Sequence, residues 1–93
     1  MADLVLRLYI AGRTAAAERA IRNLEQIIQE AYGDERPCQL EVIDILERPQ
    51  LAENERILAT PVVVKELPPP VRRVVGDLSE REKVLIGLDL QES

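Results

Sequence analysis

An α/β fold with the element order βαβαββα is predicted by three features of this 93-residue sequence. Residues 4–10 alternate, with Leu4, Leu6, Leu8 and Ile10 on one face and Val5, Arg7 and Tyr9 on the other, the period-two pattern of a strand. Ala17, Ala20, Ile21, Leu24, Ile27, Ile28 and Ala31 then recur at three- and four-residue steps and form the stripe of an amphipathic helix. A second strand pattern follows at residues 39–45. Strand, helix and strand of these lengths make a βαβ unit, which places the first two strands side by side and parallel.

The remaining elements follow in order. Ala11-Gly12-Arg13 turns the chain, and the Thr14 hydroxyl is placed to accept from the free N–H groups of the helix that follows. Glu18 and Arg22 stand four apart in the favourable order, worth about 0.2–0.5 kcal/mol. Gly33 ends the helix, and Asp34-Glu35-Arg36-Pro37 is a loop. Pro49 suits the first position of a short helix near residues 50–57. Residues 58–67 favour a strand centred on the β-branched Val62-Val63-Val64. Pro68-Pro69-Pro70 can neither donate to a ladder nor continue a helix and reads as a stiff, extended connector. Val71-Arg72-Arg73-Val74-Val75 is another strand candidate, closed by Gly76-Asp77.

The last segment supports two readings. Ser79-Glu80-Arg81-Glu82 has the spacing of a capping box, which starts a helix running to about Leu90. Against it, Ile86, Leu88 and Leu90 alternate with Gly87 and Asp89 as in a strand. Gly87 inside a helix costs roughly 0.8–1.0 kcal/mol relative to Ala. Asp89 near a helix C-terminus meets the negative end of the macrodipole, about 0.3–1 kcal/mol in the wrong direction. Both readings stand on local pattern.

Composition excludes several kinds of chemistry. With no His, every catalytic arrangement that uses imidazole as its base is ruled out. One cysteine, Cys38, is too few for a disulfide framework, a CxxC redox pair or a structural zinc site, and it fits a reducing compartment. Twelve basic against seventeen acidic residues leave a charge of −5, which repels phosphate backbones and anionic membranes, so neither nucleic acid nor membrane is expected as a partner. No apolar run reaches the roughly 18 residues of a membrane span, and Met1-Ala2-Asp3 lacks the basic start of a signal peptide. A single cytoplasmic domain, without catalysis or cofactor of its own, is the expectation.

Several stretches resemble the KaiB family of circadian clock proteins. They are Leu8-Tyr9-Ile10-Ala11-Gly12, Val42-Ile43-Asp44, Arg48-Pro49-Gln50-Leu51-Ala52, Ile57-Leu58-Ala59-Thr60-Pro61, the block from Leu67-Pro68-Pro69-Pro70-Val71-Arg72-Arg73 through Gly76-Asp77-Leu78-Ser79, and Arg81 to Leu90. The resemblance implies a thioredoxin-like βαβ N-terminal half, residues 1–46, and a C-terminal half, residues 49–93, that switches between two folds. One fold self-associates as a homotetramer or dimer. The other is a thioredoxin-like monomer that binds a KaiC-type ATPase ring, captures a KaiA-like protein and competes with a kinase's thioredoxin-like domain, so regulating the phosphorylation cycle of the ring. Gly87 and Asp89 become candidate controls of that switch, because they carry the local conflict. Glu41 stands where a basic residue is expected of clock-type members, which keeps open a variant acting with a KaiC homologue in stress or metabolic regulation. A redox-inactive thioredoxin-like binding module with an unrelated partner is the other alternative.

Thr60-Pro61 matches the cis-proline position of thioredoxin-like folds. In redox-active relatives the thiols sit at the start of the first helix, where the dipole lowers their pKa. Here that loop is Gly12-Arg13-Thr14-Ala15 and carries none. Arg72 and Arg73 are candidates for partner recognition, and Arg19, Arg22, Arg56 and Lys65 are candidates for the same surface, although exposed charges usually contribute little.

Overall fold

A computed structural model describes residues 3–90, so Met1-Ala2 and Gln91-Glu92-Ser93 lie outside the described residues. The elements are β1 (Leu4–Ile10), α1 (Ala15–Tyr32), β2 (Cys38–Asp44), α2 (Pro49–Asn54), β3 (Val62–Leu67), β4 (Arg72–Val75) and α3 (Arg81–Gly87). The predicted order βαβαββα is present. Four strands form one sheet in the order β2-β1-β3-β4. β1 pairs parallel with β2, as the βαβ spacing requires, and antiparallel with β3, which pairs antiparallel with β4.

Side-chain alternation sorts the sheet into two layers. Leu4, Leu6, Leu8 and Ile10 pack with Val63 against the Ala17, Ala20, Leu24 and Ile27 stripe of α1 and against Val84, Leu85 and Leu88. On the opposite face Tyr9 packs with Ile43, Val62 and Val64, covered lightly by Leu51 and Ile57. α1 starts as expected, with Ala17 N–H donating to Thr14 Oγ1 at 3.1 Å, and ends at Gly33. Glu18, however, pairs with Arg13 at 3.6 Å in place of Arg22, because Arg13 in the preceding turn lies within its reach.

The C-terminal half corrects several expectations. β3 begins at Val62, not at Leu58, because residues 58–61 form a loop that enters the strand through a cis Thr60–Pro61 bond. The three prolines do not extend the chain. They lie in the reversal between antiparallel β3 and β4, with cis bonds at Leu67–Pro68 and Pro69–Pro70. The capping box does not form either. Glu80 is the N-cap and makes no side-chain cap bond, while Ser79 N–H donates instead to Asp77 Oδ1 at 3.1 Å.

The helix-or-strand conflict resolves as a short helix with a tight stop. Asp89 N–H donates to Ile86 O at 3.1 Å and Leu90 N–H to Leu85 O at 2.8 Å, with Asp89 at φ 54°, which together make a Schellman motif. Gly87 is therefore the last helical residue and Asp89 lies beyond the helix, in the left-handed position that ends it. Lys65 lies beneath this terminus. It is 2% exposed, and its ammonium donates to Asp89 O at 3.4 Å, a cation at the negative end of α3.

The structure also gives Gly87 a packing role that periodicity does not show. A Cβ at this position would stand 2.5 Å from Val74 Cγ2, so an alanine requires the Val74 methyl to turn. An off-rotamer valine costs about 0.5–1.5 kcal/mol, which offsets the roughly 0.5–1 kcal/mol gained by replacing a helical glycine. Gly87→Ala should therefore stabilise this fold by about 0.5–1 kcal/mol on a Val74→Ala background and by clearly less with Val74 in place. Urea denaturation of the four proteins in that cycle measures the difference, and equal effects on both backgrounds would contradict the contact.

Candidate functional site

One end of the sheet is built by the turns that follow β1 and β2 and precede β3. Gly12 turns the chain at φ 78°, and its N–H donates to Asp44 Oδ1 at 3.1 Å. The same carboxylate oxygen accepts from Leu46 N–H at 3.0 Å, so Asp44 ties the loop after β2 to the loop after β1. Gly76 N–H donates to Pro61 O at 2.9 Å and links the end of β4 to the cis-proline loop. The start of α1 and the cis-proline thus stand at the same end of neighbouring strands, β1 and β3.

No thiol is present there. Cys38 opens β2 opposite Leu4, at the other end of the sheet from Gly12. It is half-buried, and burial pushes its thiol up. The reactive thiolate is thereby disfavoured near neutral pH.

The candidate basic residues do not form one surface. Arg19 and Arg22 project from α1, which covers the Leu4–Ile10 face. Arg72 shares that face, two residues from Val74, which packs into the same layer. Arg56 and Arg73 lie on the opposite side with α2. Strand alternation therefore separates the adjacent Arg72 and Arg73 across the sheet.

Their engagements differ as well. The Arg73 guanidinium donates to Arg56 O at 3.1 Å and to Glu55 O, the carbonyls just past the end of α2, and so fastens that end to β4. Lys65 is drawn beneath α3 and is buried, contrary to its expected place on an exposed surface. Arg19 Nε lies 3.6 Å from Asp77 Oδ2. Arg22 and Arg72 are exposed, and their side chains make no hydrogen bond or ion pair among the described residues.

Asp77 and Asn23 are the tying positions that sequence pattern understated. Asn23 Nδ2 donates to Asp77 O at 2.8 Å, 54 residues away, while the Asp77 side chain receives Ser79 N–H and Arg19. Ser79, through its side chain and its amide, and then Arg19 hold the Asp77 carboxyl below its ordinary value. The aspartate thus fastens the loop after β4 to α1. A polar residue facing off the apolar stripe of α1 gave no local sign of this partner.

A four-stranded mixed sheet of order β2-β1-β3-β4, with helices on both faces, is a thioredoxin-like fold. Two solved structures share that fold. The N-terminal domain of Synechococcus elongatus SasA matches with a TM-score of 0.76 at 24% identity, over 98% of this chain and 88% of that one. Mitochondrial thioredoxin 3 of Saccharomyces cerevisiae matches at 0.70 and 19% identity, over 94% of this chain and 77% of the other.

Within that class, the KaiB domain model matches residues 7–90, and the chain belongs to the KaiB family. The circadian clock protein KaiB3 of Synechocystis sp. is 50% identical over 90 residues, covering 97% of this chain and 86% of the relative. The circadian clock oscillator protein KaiB of Microcystis aeruginosa is 56% identical over 86 residues, covering 92% and 81%. These relatives are named as clock proteins, not as enzymes.

Two outcomes follow from this geometry. Cys38 should alkylate with iodoacetamide at pH 7.5 several-fold more slowly than a small free thiol, and reach that thiol's rate in denaturing urea, as mass spectrometry would show. Arg73→Met, which removes two charge-assisted bonds in an exposed setting, should cost about 0.5–1.5 kcal/mol. It should also speed hydrogen exchange at Ile57, whose amide closes the loop after α2 on Ala52 O at 2.9 Å. Unchanged exchange there would show that Arg73 does not fasten α2.

Proposed function

We propose that this protein is a non-catalytic clock component that docks, in its thioredoxin-like fold, on a KaiC-type hexameric ATPase ring in the cytoplasm and modulates the ring's phosphorylation cycle. The observation that carries this reading is a KaiB-family thioredoxin-like sheet whose redox position is Gly12-Arg13-Thr14-Ala15, with its one cysteine at the far end. Such a scaffold keeps a binding surface and lacks the chemistry of a thiol oxidoreductase. The exposed, unengaged Arg22 and Arg72, together with Arg19, form the basic part of the proposed contact face.

The mechanism is a population shift. Residues 49–93 form the switching half, and the uneven packing supports this: α2 contributes no buried residue and α3 only Val84 and Leu85, whereas β1 and α1 supply most of the core. The ring binds one fold only, so apparent affinity falls by the fraction that occupies it. Self-association of the other fold as a dimer or tetramer lowers that fraction further by mass action. In this scheme the bound form captures a KaiA-like protein and displaces a kinase's thioredoxin-like domain.

A second reading, a KaiB variant acting with a KaiC homologue in stress or metabolic regulation, is favoured by Glu41. This acidic residue lies on the edge strand β2, with its carboxylate 3.3 Å from Arg7 Nε.

Sedimentation velocity with the KaiC-type ATPase from the same source, in ATP and in ADP, tests the proposal. Co-sedimentation that grows over minutes to hours is the expected result. Immediate binding would retain the partner and remove the fold switch as the gate. Absence of a complex in both nucleotides, with the ring intact, would overturn the reading.

A further inference from the structure

A cavity of about 210 Å³ opens between the β3–β4 reversal and the end of α3, lined by Arg36, Lys65, Pro68, Pro69, Asp89 and Leu90. Two cations meet there in a chain whose net charge is −5. Lys65 is 98% buried, yet its one hydrogen-bond partner among the described residues is Asp89 O, at the long distance of 3.4 Å. An ammonium carries three donors, and burying it with donors unmet is costly. Arg36 comes from the loop before β2. Its guanidinium carbon lies over the Tyr32 ring, 5.2 Å from the centroid, within cation–π range. Its Nε is buried without a hydrogen-bond partner. Pro68, Pro69 and Leu90 supply apolar walls, which strengthen any charge-assisted bond made inside.

From these features we infer that the cavity is a binding site for a single oxyanion group, phosphate or carboxylate, held between Lys65 Nζ and the Arg36 guanidinium. Its volume is below the roughly 300–1,000 Å³ of sites for drug-sized ligands, so it takes a head group and not a nucleotide. Lys65 on β3 and Arg36 in the loop before β2 thus bring two cationic side chains from separate elements to the lining of one cavity. Asp89 is exposed, and its carboxylate at the rim opposes the incoming anion, which sets a ceiling on affinity. Occupation would bridge the β2 entry loop, β3 and the C-terminus of α3, and so would favour the fold described here over any arrangement that separates them.

The test is a titration of the ¹⁵N-labelled protein with inorganic phosphate, and separately with acetate, at constant ionic strength held by sodium chloride. The expected result is a saturable shift of the Arg36, Lys65, Asp89 and Leu90 amides with at least one of the two anions. Affinity should weaken at least about tenfold in Arg36→Gln and in Lys65→Met, the loss expected for one charge-assisted bond. It should tighten in Asp89→Asn. Arg36→Gln alters a loop residue and keeps the test alive if Lys65→Met fails to fold. Saturation by phosphate assigns a phosphate group, and saturation by acetate alone assigns a carboxylate. Shifts that grow linearly with both anions, or that are the same size in Arg36→Gln, would overturn the site.

Discussion

β1 is the constraint on which the rest of the structure depends. It pairs along its length with β2 on one side and over Val5–Tyr9 with β3 on the other, with one face fully buried and Tyr9 buried on the second. Its even positions, Leu4, Leu6, Leu8 and Ile10, must match the stripe of α1, while Tyr9 must match Ile43, Val62 and Val64. A one-residue slip would exchange these two sets and place Arg7 against the α1 layer. Register is therefore fixed, and with it the positions of Gly12 and Cys38 at opposite ends of the sheet. Tyr9 sits so deep that burial pushes its phenol up, consistent with a ring that serves packing.

The C-terminal half is held differently. Its helices bury little, and a few polar ties locate them: Asp77 to Asn23 and Arg19 of α1, Arg73 to the end of α2, and Lys65 to the end of α3. Each tie crosses between elements, and each is directional. Hydrogen bonds of this kind contribute modestly in net terms but choose among competing packings, because an arrangement that lacks the partner leaves the group unpaired. Helices fastened by such ties, beside a β3 that is buried and paired with β1, suit a chain proposed to change fold while keeping its N-terminal half.

The basic residues illustrate how one charge type divides its roles. Arg73 and Lys65 satisfy main-chain carbonyls at helix ends, where a cation is favoured by the dipole. Arg22 and Arg72 extend into solvent with no such duty and are therefore available to a partner. Arg22 and Arg72 lie on the α1 side of the sheet, while Lys65 and Arg36, each already in contact with a neighbour, line the cavity at the end of α3.

The sequence by itself determined the element order, the parallel β1–β2 pairing, the Thr14 cap, and a composition with no histidine and a single cysteine. These depend on period, spacing and residue type, which are local quantities. Tertiary structure alone decided that the proline run reverses the chain, because only the antiparallel pairing of β3 and β4 demands a turn there. Packing likewise decided that Ser79 serves Asp77 and not a capping box, and that Gly87 makes room for Val74. It also set Arg72 and Arg73 on opposite faces and drew Lys65 inside. Each of these depends on a neighbour distant in sequence, and no local pattern encodes where such a neighbour will stand.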